Sequence, residues 1–134
     1  MRLRAFRIVF MWLERAFLLG LVLQVLFIGF GLFPRNGDPS PFALHRNWGY
    51  LLGDISVAIL LVALAARPGW RTALLAFIVA ALSFLAQPLL VQARHRAPIV
   101  AAFHPVDALL ILWLTLVLIR RSTALVASAA PKEA

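Results

Sequence analysis

The sequence contains no cysteine and carries little charge, since only 13% of its residues are charged. Without cysteine the chain can form no disulfide, no thiolate metal site and no iron–sulfur cluster, and it cannot attach a c-type haem covalently. A hydrophobic content of 63% over 134 residues is too high for a water-soluble domain. The composition therefore predicts a membrane protein, with the lipid bilayer as its first partner.

The net charge of +8 does not indicate a nucleic-acid partner. The basic residues lie at the ends of apolar runs, where membrane proteins carry them, rather than along one soluble face. The sequence has no glycine-rich phosphate loop, no HExxH metal motif and no convincing serine–histidine–aspartate order. It therefore identifies no catalytic residue, and an enzymatic function is the less favoured interpretation.

Four apolar segments are each long enough to cross a bilayer as a helix, since a span needs roughly 20 residues. They cover residues 16–33, 42–66, 72–93 and 98–119. The connections between them are short and rich in turn residues, which favours antiparallel neighbours. We therefore predict an all-α membrane protein, an up-down bundle of four transmembrane helices over residues 16–119. Residues 1–15 are predicted to form a basic interfacial segment, and residues 120–134 a disordered cytoplasmic tail.

The distribution of arginine and lysine predicts the orientation of the bundle. Nine of these residues lie on the side of the two termini and four on the opposite side. Because the cytoplasmic side of membrane proteins carries the excess of positive charge, both termini are predicted to be cytoplasmic.

Two histidines occupy matched positions, His45 near the start of the second segment and His104 near the start of the fourth. Each is followed by a small residue at +4, an apolar residue at +7 and a hydroxyl residue at +11, positions that share one helix face. The preceding glutamines and the small residues match in pairs: Gln24 with Gln87, and Gly49 with Ala108. This self-similarity indicates two repeated helical hairpins related by an axis along the membrane normal.

The matched histidines suit a b-type haem. An up-down bundle places its second and fourth helices diagonally, so His45 and His104 would face each other at similar depth and ligate a haem iron from both sides. Gly49 and Ala108 would leave room for the flat macrocycle. Guanidinium pairs well with carboxylate, so three arginines are candidate partners of the haem propionates: Arg46, Arg94 and Arg96. The alternative is that both histidines are interfacial residues bonded to lipid headgroups or backbone carbonyls.

Two aspartates, Asp54 and Asp107, also lie within the predicted spans. Intramembrane ionisable residues are functional by default, which favours a proton relay or a contact with a partner protein, but a neutral packing contact is the alternative. Asp54 falls on the helix face opposite His45. The candidate partners of its side chain are Ser56, Thr72, Gln24, Gln87 or another subunit.

Pro105 directly follows His104, and proline removes one backbone hydrogen bond from a helix. A helix that began at Pro105 and ended at Ile119 would be short for a span. We therefore predict a single kinked helix from about Pro98.

The stretches HRNWGYLLG and HPVDALLIL, with the glutamine that precedes the second, resemble a family of small, uncharacterised bacterial four-helix membrane proteins over about residues 16–119. More distantly, the pattern resembles one half of haem A synthase, in which histidines on the second and fourth helices of a four-helix bundle face a haem. Under that resemblance His45, Arg46 and His104 match the haem-facing positions, and Gln24 and Gln87 match glutamines of the bundle. The second half and the catalytic acidic residues of that enzyme are absent, so the resemblance implies a b-type haem site rather than porphyrin oxidation.

Three functional hypotheses result. The leading hypothesis is a bacterial inner-membrane protein that holds haem b between His45 and His104 and transfers electrons or senses redox state, with a quinone or a redox partner protein as its partner. The first alternative is a cofactor-free membrane subunit or scaffold. The second is a small proton-coupled transporter, for which four helices would need to form a homo-oligomer.

Overall fold

A computed structural model describes residues 2–34, 37 and 39–128 of the chain. Four helices within these residues are long and apolar enough to cross a membrane: α1 (Arg2–Leu32), α2 (Ala43–Ala66), α3 (Trp70–His95) and α4 (Pro98–Ala127). The described part of the chain contains no strand. The prediction of an all-helical protein with four membrane-spanning helices is confirmed.

Hydrogen bonds at both ends of α1 and α2 show that these helices run antiparallel. Near the end of α1, the backbone carbonyl of Gln24 accepts a bond from the His45 ring at the start of α2. Near the start of α1, the Arg7 side chain donates to the carbonyl of Ala66, the last residue of α2. We call the end of the bundle with the α1–α2 and α3–α4 connections the outer end, and the opposite end the terminal end.

The turn between α2 and α3 occupies three residues. Arg67 caps α2 in the left-handed conformation, with φ of 50°, and its N–H donates to the carbonyl of Ala63. Gly69 follows with φ of 86°, a region that glycine enters without steric cost, and α3 begins at Trp70. The connection between α2 and α3 is therefore short, as predicted for the connections between the apolar segments.

The four helices contact one another in chain order around the bundle, α1 with α2, α2 with α3, α3 with α4, and α4 with α1. Their inward faces form one core: Phe10, Phe17, Leu52, Ile59, Ala63, Ala66, Ala76, Val79, Ile111, Leu114 and Leu118. Helices α1 and α2 approach closely at Gly20, where an added Cβ would lie 2.6 Å from Leu52 Cδ2. Small residues at such contacts are typical of helices that associate inside a bilayer.

Both ends of the bundle differ from the predicted boundaries. Helix α1 is continuous from Arg2, and Phe10 and Glu14 are buried, so residues 2–15 are part of the bundle. Helix α4 continues to Ala127 with Ser122 buried, so residues 120–127 are helical rather than disordered. The reason is a tertiary contact, because the Ser122 hydroxyl donates to the Glu14 carboxyl across the α1–α4 interface. Residues 129–134 of the predicted tail lie outside the described residues.

Helices α3 and α4 are each interrupted near the outer end. In α4 the α-helical geometry stops after Ala101 and resumes at His104, directly before Pro105, so the predicted kink is present. In α3 a π-helical turn covers Leu82–Ala86, directly before Gln87 and Pro88. Insertions of this kind are found mostly at functional sites. The sequence analysis did not predict the π-helical turn.

The buried bond between Ser122 and Glu14 can be tested with two neighbouring hydroxyl residues. We expect Ser122→Ala to lower the free energy of unfolding by about 1–3 kcal/mol, because a buried carboxyl loses its donor. Thr123→Ala removes a hydroxyl bonded to Arg15 on the exposed side of the same helix, so we expect little change. Thermal unfolding in detergent measures both variants. If both variants lowered the free energy of unfolding equally, the buried bond between Ser122 and Glu14 would not hold the end of α4 on α1.

Candidate functional site

A cavity of about 700 Å³ lies in the outer half of the bundle and has lining residues from all four helices. Its wall contains nine of the side chains singled out from the sequence: Gln24, His45, Arg46, Gly49, Asp54, Gln87, Arg94, His104 and Ala108. Phe17 and Ile111 form the end of the cavity nearest the middle of the bundle. Positions spread over 85 residues of sequence therefore meet at one place.

The rings of the two histidines lie close to each other in the cavity wall. The ring centroids of His45 and His104 are 6.4 Å apart, and the ring planes cross at 78°. Two imidazoles on opposite sides of one metal have ring centres ~6 Å apart, given metal–nitrogen bonds of ~2 Å and ring centres ~1 Å behind each nitrogen. The observed separation of the ring centroids is close to this value.

Helix α1 orients the His45 ring. His45 Nδ1 lies 3.1 Å from the backbone carbonyl oxygen of Gln24, and this carbonyl can only accept, so Nδ1 carries the proton. The lone pair is then on Nε2, where the Gln24 side-chain amide is a distant donor at 3.5 Å. An Nδ1–H bond to a backbone carbonyl is the arrangement that fixes the tautomer and ring orientation of metal-ligating histidines.

His104 is held differently, through its backbone. The Gln87 side-chain amide on α3 donates to the His104 carbonyl at 3.1 Å and to Asp107 Oδ2 at 2.8 Å. Within the described structure, the Nδ1 atom of His104 is buried and has no hydrogen-bond partner. The ring of His104 therefore has an unused polar atom inside the protein, which is uncommon.

Asp107 is not part of the cavity wall. Its side chain is buried at the start of α4 and accepts the bond from Gln87, so it joins the beginning of α4 to α3. Each of the two helices is interrupted within a few residues of this contact, at the π-helical turn of α3 and at the break before His104. The contact therefore sets the position of His104 relative to α3.

The three predicted arginines are not equivalent. Arg46 and Arg94 line the outer part of the cavity, whereas Arg96 is not among its lining residues. The Arg94 Nε–H donates to Nε2 of the exposed His95, at 3.0 Å. His95 is exposed and is not among the residues that line this cavity.

Asp54 lines the deep end of the cavity, although it lies nine residues after His45 and on the opposite helix face. Its side chain is exposed and has no hydrogen-bond partner among the described residues. Two predicted partners are already used: the Ser56 hydroxyl donates to the Gly53 carbonyl of its own helix, and Gln87 bonds to Asp107. The contact predicted for Asp54 within the chain is therefore not found in the described part of the structure.

Several lining residues were not identified from the sequence as members of a site. Tyr50, Phe84 and Gln92 line the cavity, and so does Ser83, whose hydroxyl oxygen is buried without a partner in the described structure. Each of these four residues lies in an apolar run or at a helix end, and none is part of a recognisable sequence motif. The proline at position 88 is the one local signal that α3 departs from regular helix at this level.

A sequence profile of DUF6220, a family of unknown function, matches residues 24–94, slightly more than half of the chain. The matched region extends from Gln24 through α2 and most of α3, so it includes His45, Asp54 and Gln87 but not His104. This match confirms the resemblance to an uncharacterised family, whereas the resemblance to haem A synthase has no corresponding match. No curated protein and no solved structure matches the chain.

Two glutamines in the cavity wall test the anchoring role of Gln87. Replacing Gln87 with leucine leaves the Asp107 carboxyl and the His104 carbonyl without their donor, so we expect Gln87→Leu to lower the free energy of unfolding by about 1–3 kcal/mol. Gln92 is exposed, and its side chain makes no hydrogen bond with the described residues. Gln92→Leu is therefore the matched control, with little expected effect on thermal unfolding in detergent. A similar decrease in the free energy of unfolding for both variants would contradict the role of Gln87 in joining α3 to α4.

Proposed function

The chain belongs to DUF6220, a family of unknown function, and we propose that it is an integral membrane protein that binds one b-type haem between His45 and His104. The observation that carries the proposal is the 6.4 Å separation of the two ring centroids inside a cavity. In the described residues no group of three or more His, Asp or Glu side chains could hold a metal ion. A haem needs only two protein ligands, because the porphyrin supplies the other four.

The chemistry of the two rings supports axial ligation. The bond from His45 Nδ1 to the Gln24 carbonyl leaves Nε2 as the ligating atom. His104 contributes a second, half-buried ring. Unlike His45, it has no hydrogen bond at Nδ1 within the described structure to orient it. The two rings come from diagonal helices, so a ligand held between them would lie at the centre of the bundle.

The volume of the cavity is also compatible with a cofactor. At about 700 Å³, the cavity is in the range of cofactor pockets, roughly 300–1,000 Å³. Ala108, one turn below His104, presents only a methyl group to the cavity. At Gly49 the Gln24 side-chain amide takes the space, 2.9 Å from where a Cβ would lie. Arg46 and Arg94 line its outer part and are suited to pair with the two propionates. We retain these two arginines in the site and omit Arg96.

A haem iron with two axial imidazoles has no open coordination position, and it supplies one-electron transfer rather than oxygen chemistry. We therefore propose electron transfer or redox sensing, without an enzymatic reaction of the chain itself. The apolar core residues below the cavity, Phe17 and Ile111, would keep water from the terminal end away from the site. On the arginine and lysine distribution we assign the protein to a bacterial inner membrane with both termini cytoplasmic.

Absorption spectra of the purified protein test the proposal. After expression with added haem, we expect the reduced-minus-oxidised spectrum to contain the α-band of a bis-histidine b-type haem. His45→Ala and His104→Ala should each abolish that band, because each removes an axial ligand. His95→Ala is the matched control and should retain it, since His95 is exposed and outside the cavity. Wild-type protein without haem absorption would contradict the proposal and leave two alternatives, the cofactor-free subunit or scaffold and the proton-coupled transporter.

A second test changes the room for the macrocycle and leaves both ligands in place. We expect Ala108→Leu to prevent haem retention, because its larger side chain would fill the cavity one turn below His104. Ala58→Leu, at an exposed position of α2 outside the cavity wall, should retain haem at the wild-type level. The haem-to-protein ratio after purification measures both. Full haem occupancy in Ala108→Leu would contradict the proposed position of the macrocycle.

A further inference from the structure

The cavity has a second end, well separated from the histidines. Asp54 lines it nine residues after His45, which corresponds to about 13 Å along a helix. These two positions lie on opposite faces of α2, so the cavity must extend around the helix to reach both. The deep end is therefore not needed for holding the two imidazoles.

Gly53 and the interruption of α3 explain how the cavity passes between α2 and α3. At Gly53 the two helices meet, and an added Cβ would lie 3.5 Å from the Ser83 carbonyl oxygen and the Phe84 Cα. Beyond this contact α3 passes through its π-helical turn, and the following segment, Gln87–Gln92, packs mainly on α4. The helices α2 and α3 therefore diverge toward the outer end and leave an opening on the outside of the bundle.

Exposed side chains border this opening. Tyr50 and Phe84 line the cavity, and yet 58% and 46% of their surfaces are exposed, on α2 and α3 respectively. Asp54 is the twelfth of the 24 residues of α2 and is also exposed. In a bilayer this opening would face lipid near the middle of the membrane, with two aromatic rings and one carboxyl around it.

The carboxyl of Asp54 is the unusual feature of the opening. Ionisable side chains near the bilayer centre are costly, and they almost always pair with a polar group or mark a ligand path. Asp54 has no such partner among the described residues. A hydrogen-bond donor from outside the chain would satisfy it.

We propose that the opening between α2 and α3 binds a lipid-soluble ring molecule with a hydroxyl group, of the quinol class, which enters from the bilayer. The ring hydroxyl donates to the Asp54 carboxyl, and the ring packs against Tyr50 and Phe84, since aromatic rings favour offset or edge contacts with one another. The apolar tail remains among the lipid chains. The inference goes beyond the haem proposal and does not rest on it, because no residue of this end ligates the iron.

Other membrane components fit the opening less well. A lipid acyl chain has no donor for Asp54, and a phosphate headgroup is anionic and lies at the membrane surface rather than near its middle. A second copy of the chain would need to bring a polar donor to this depth. The exposed residues of α2 and α3 nearest this level are mostly apolar, such as Leu51, Phe84 and Leu85, and Tyr50 has the hydroxyl group nearest to Asp54 among them.

Binding of decylubiquinol to the haem-free protein tests the inference. The binding is measured anaerobically in detergent by equilibrium dialysis, with the His45→Ala, His104→Ala double variant as the haem-free background. We expect Asp54→Leu to raise the Kd at least tenfold, because the hydroxyl loses its acceptor. We expect Ala65→Leu, at an exposed position about 16 Å further along α2, to leave the Kd unchanged. Absence of binding to the parent protein, or an unchanged Kd in Asp54→Leu, overturns the inference. The haem spectra are read separately, so failure of either proposal is distinguishable from failure of the other.

The absence of native cysteine permits a sharper version of the experiment. In Asp54→Cys the introduced thiol is the single thiol of the chain, and we expect decylubiquinol to protect it from a membrane-permeant maleimide. The same variant in vesicles under oxidising conditions should remain monomeric on a non-reducing gel. A disulfide-linked dimer would identify a second copy of the chain as the occupant and would overturn the inference.

Discussion

The side-chain amide of Gln87 makes the contact on which the arrangement of the outer half depends. It donates to the His104 carbonyl and to the Asp107 carboxyl, and so it joins α3 to α4 at the level where both helices are interrupted. Inside a bilayer no water replaces a missing backbone partner, so a broken helix needs such compensation from its neighbours. The position of His104, and with it the distance to His45, depends on this contact. The divergence of α3 from α2 begins in the same region.

The two hairpins are similar in sequence but use their glutamines in opposite ways. In the first hairpin the ring of His45 donates to the backbone carbonyl of Gln24. In the second the side chain of Gln87 donates to the backbone carbonyl of His104. Proline accounts for part of the difference, because Pro88 and Pro105 directly follow the glutamine and the histidine of the second hairpin, and neither has an N–H to donate. One hairpin is therefore regular and closely packed, and the other is broken and frames the cavity.

Much of the fold could be predicted because long apolar runs and short turn-rich connections leave few alternatives to four antiparallel helices. The matched spacing also singled out His45, Gly49, His104 and Ala108, and all four line the cavity. The helix ends could not be predicted in this way. Glu14 and Ser122 are ordinary polar residues beside arginines in the sequence, and nothing local indicates that they bond to each other across 108 positions. The π-helical turn at Leu82–Ala86 is likewise invisible in a run of apolar residues.

The sequence by itself determined the class of protein, the number of helices, the turn at Gly69 and the kink before Pro105, because hydrophobic length, glycine and proline act locally on the chain. Only the tertiary structure decided that Asp107 bonds to Gln87 while Asp54 is left exposed in the cavity wall. Both aspartates are carboxyls within predicted spans, and periodicity distinguished them only by placing Asp54 on the helix face opposite its histidine. Their environments differ because α3 packs on α4 beside Asp107 but diverges from α2 beside Asp54, and the direction in which a neighbouring helix bends is not encoded in the spacing of residues along one helix.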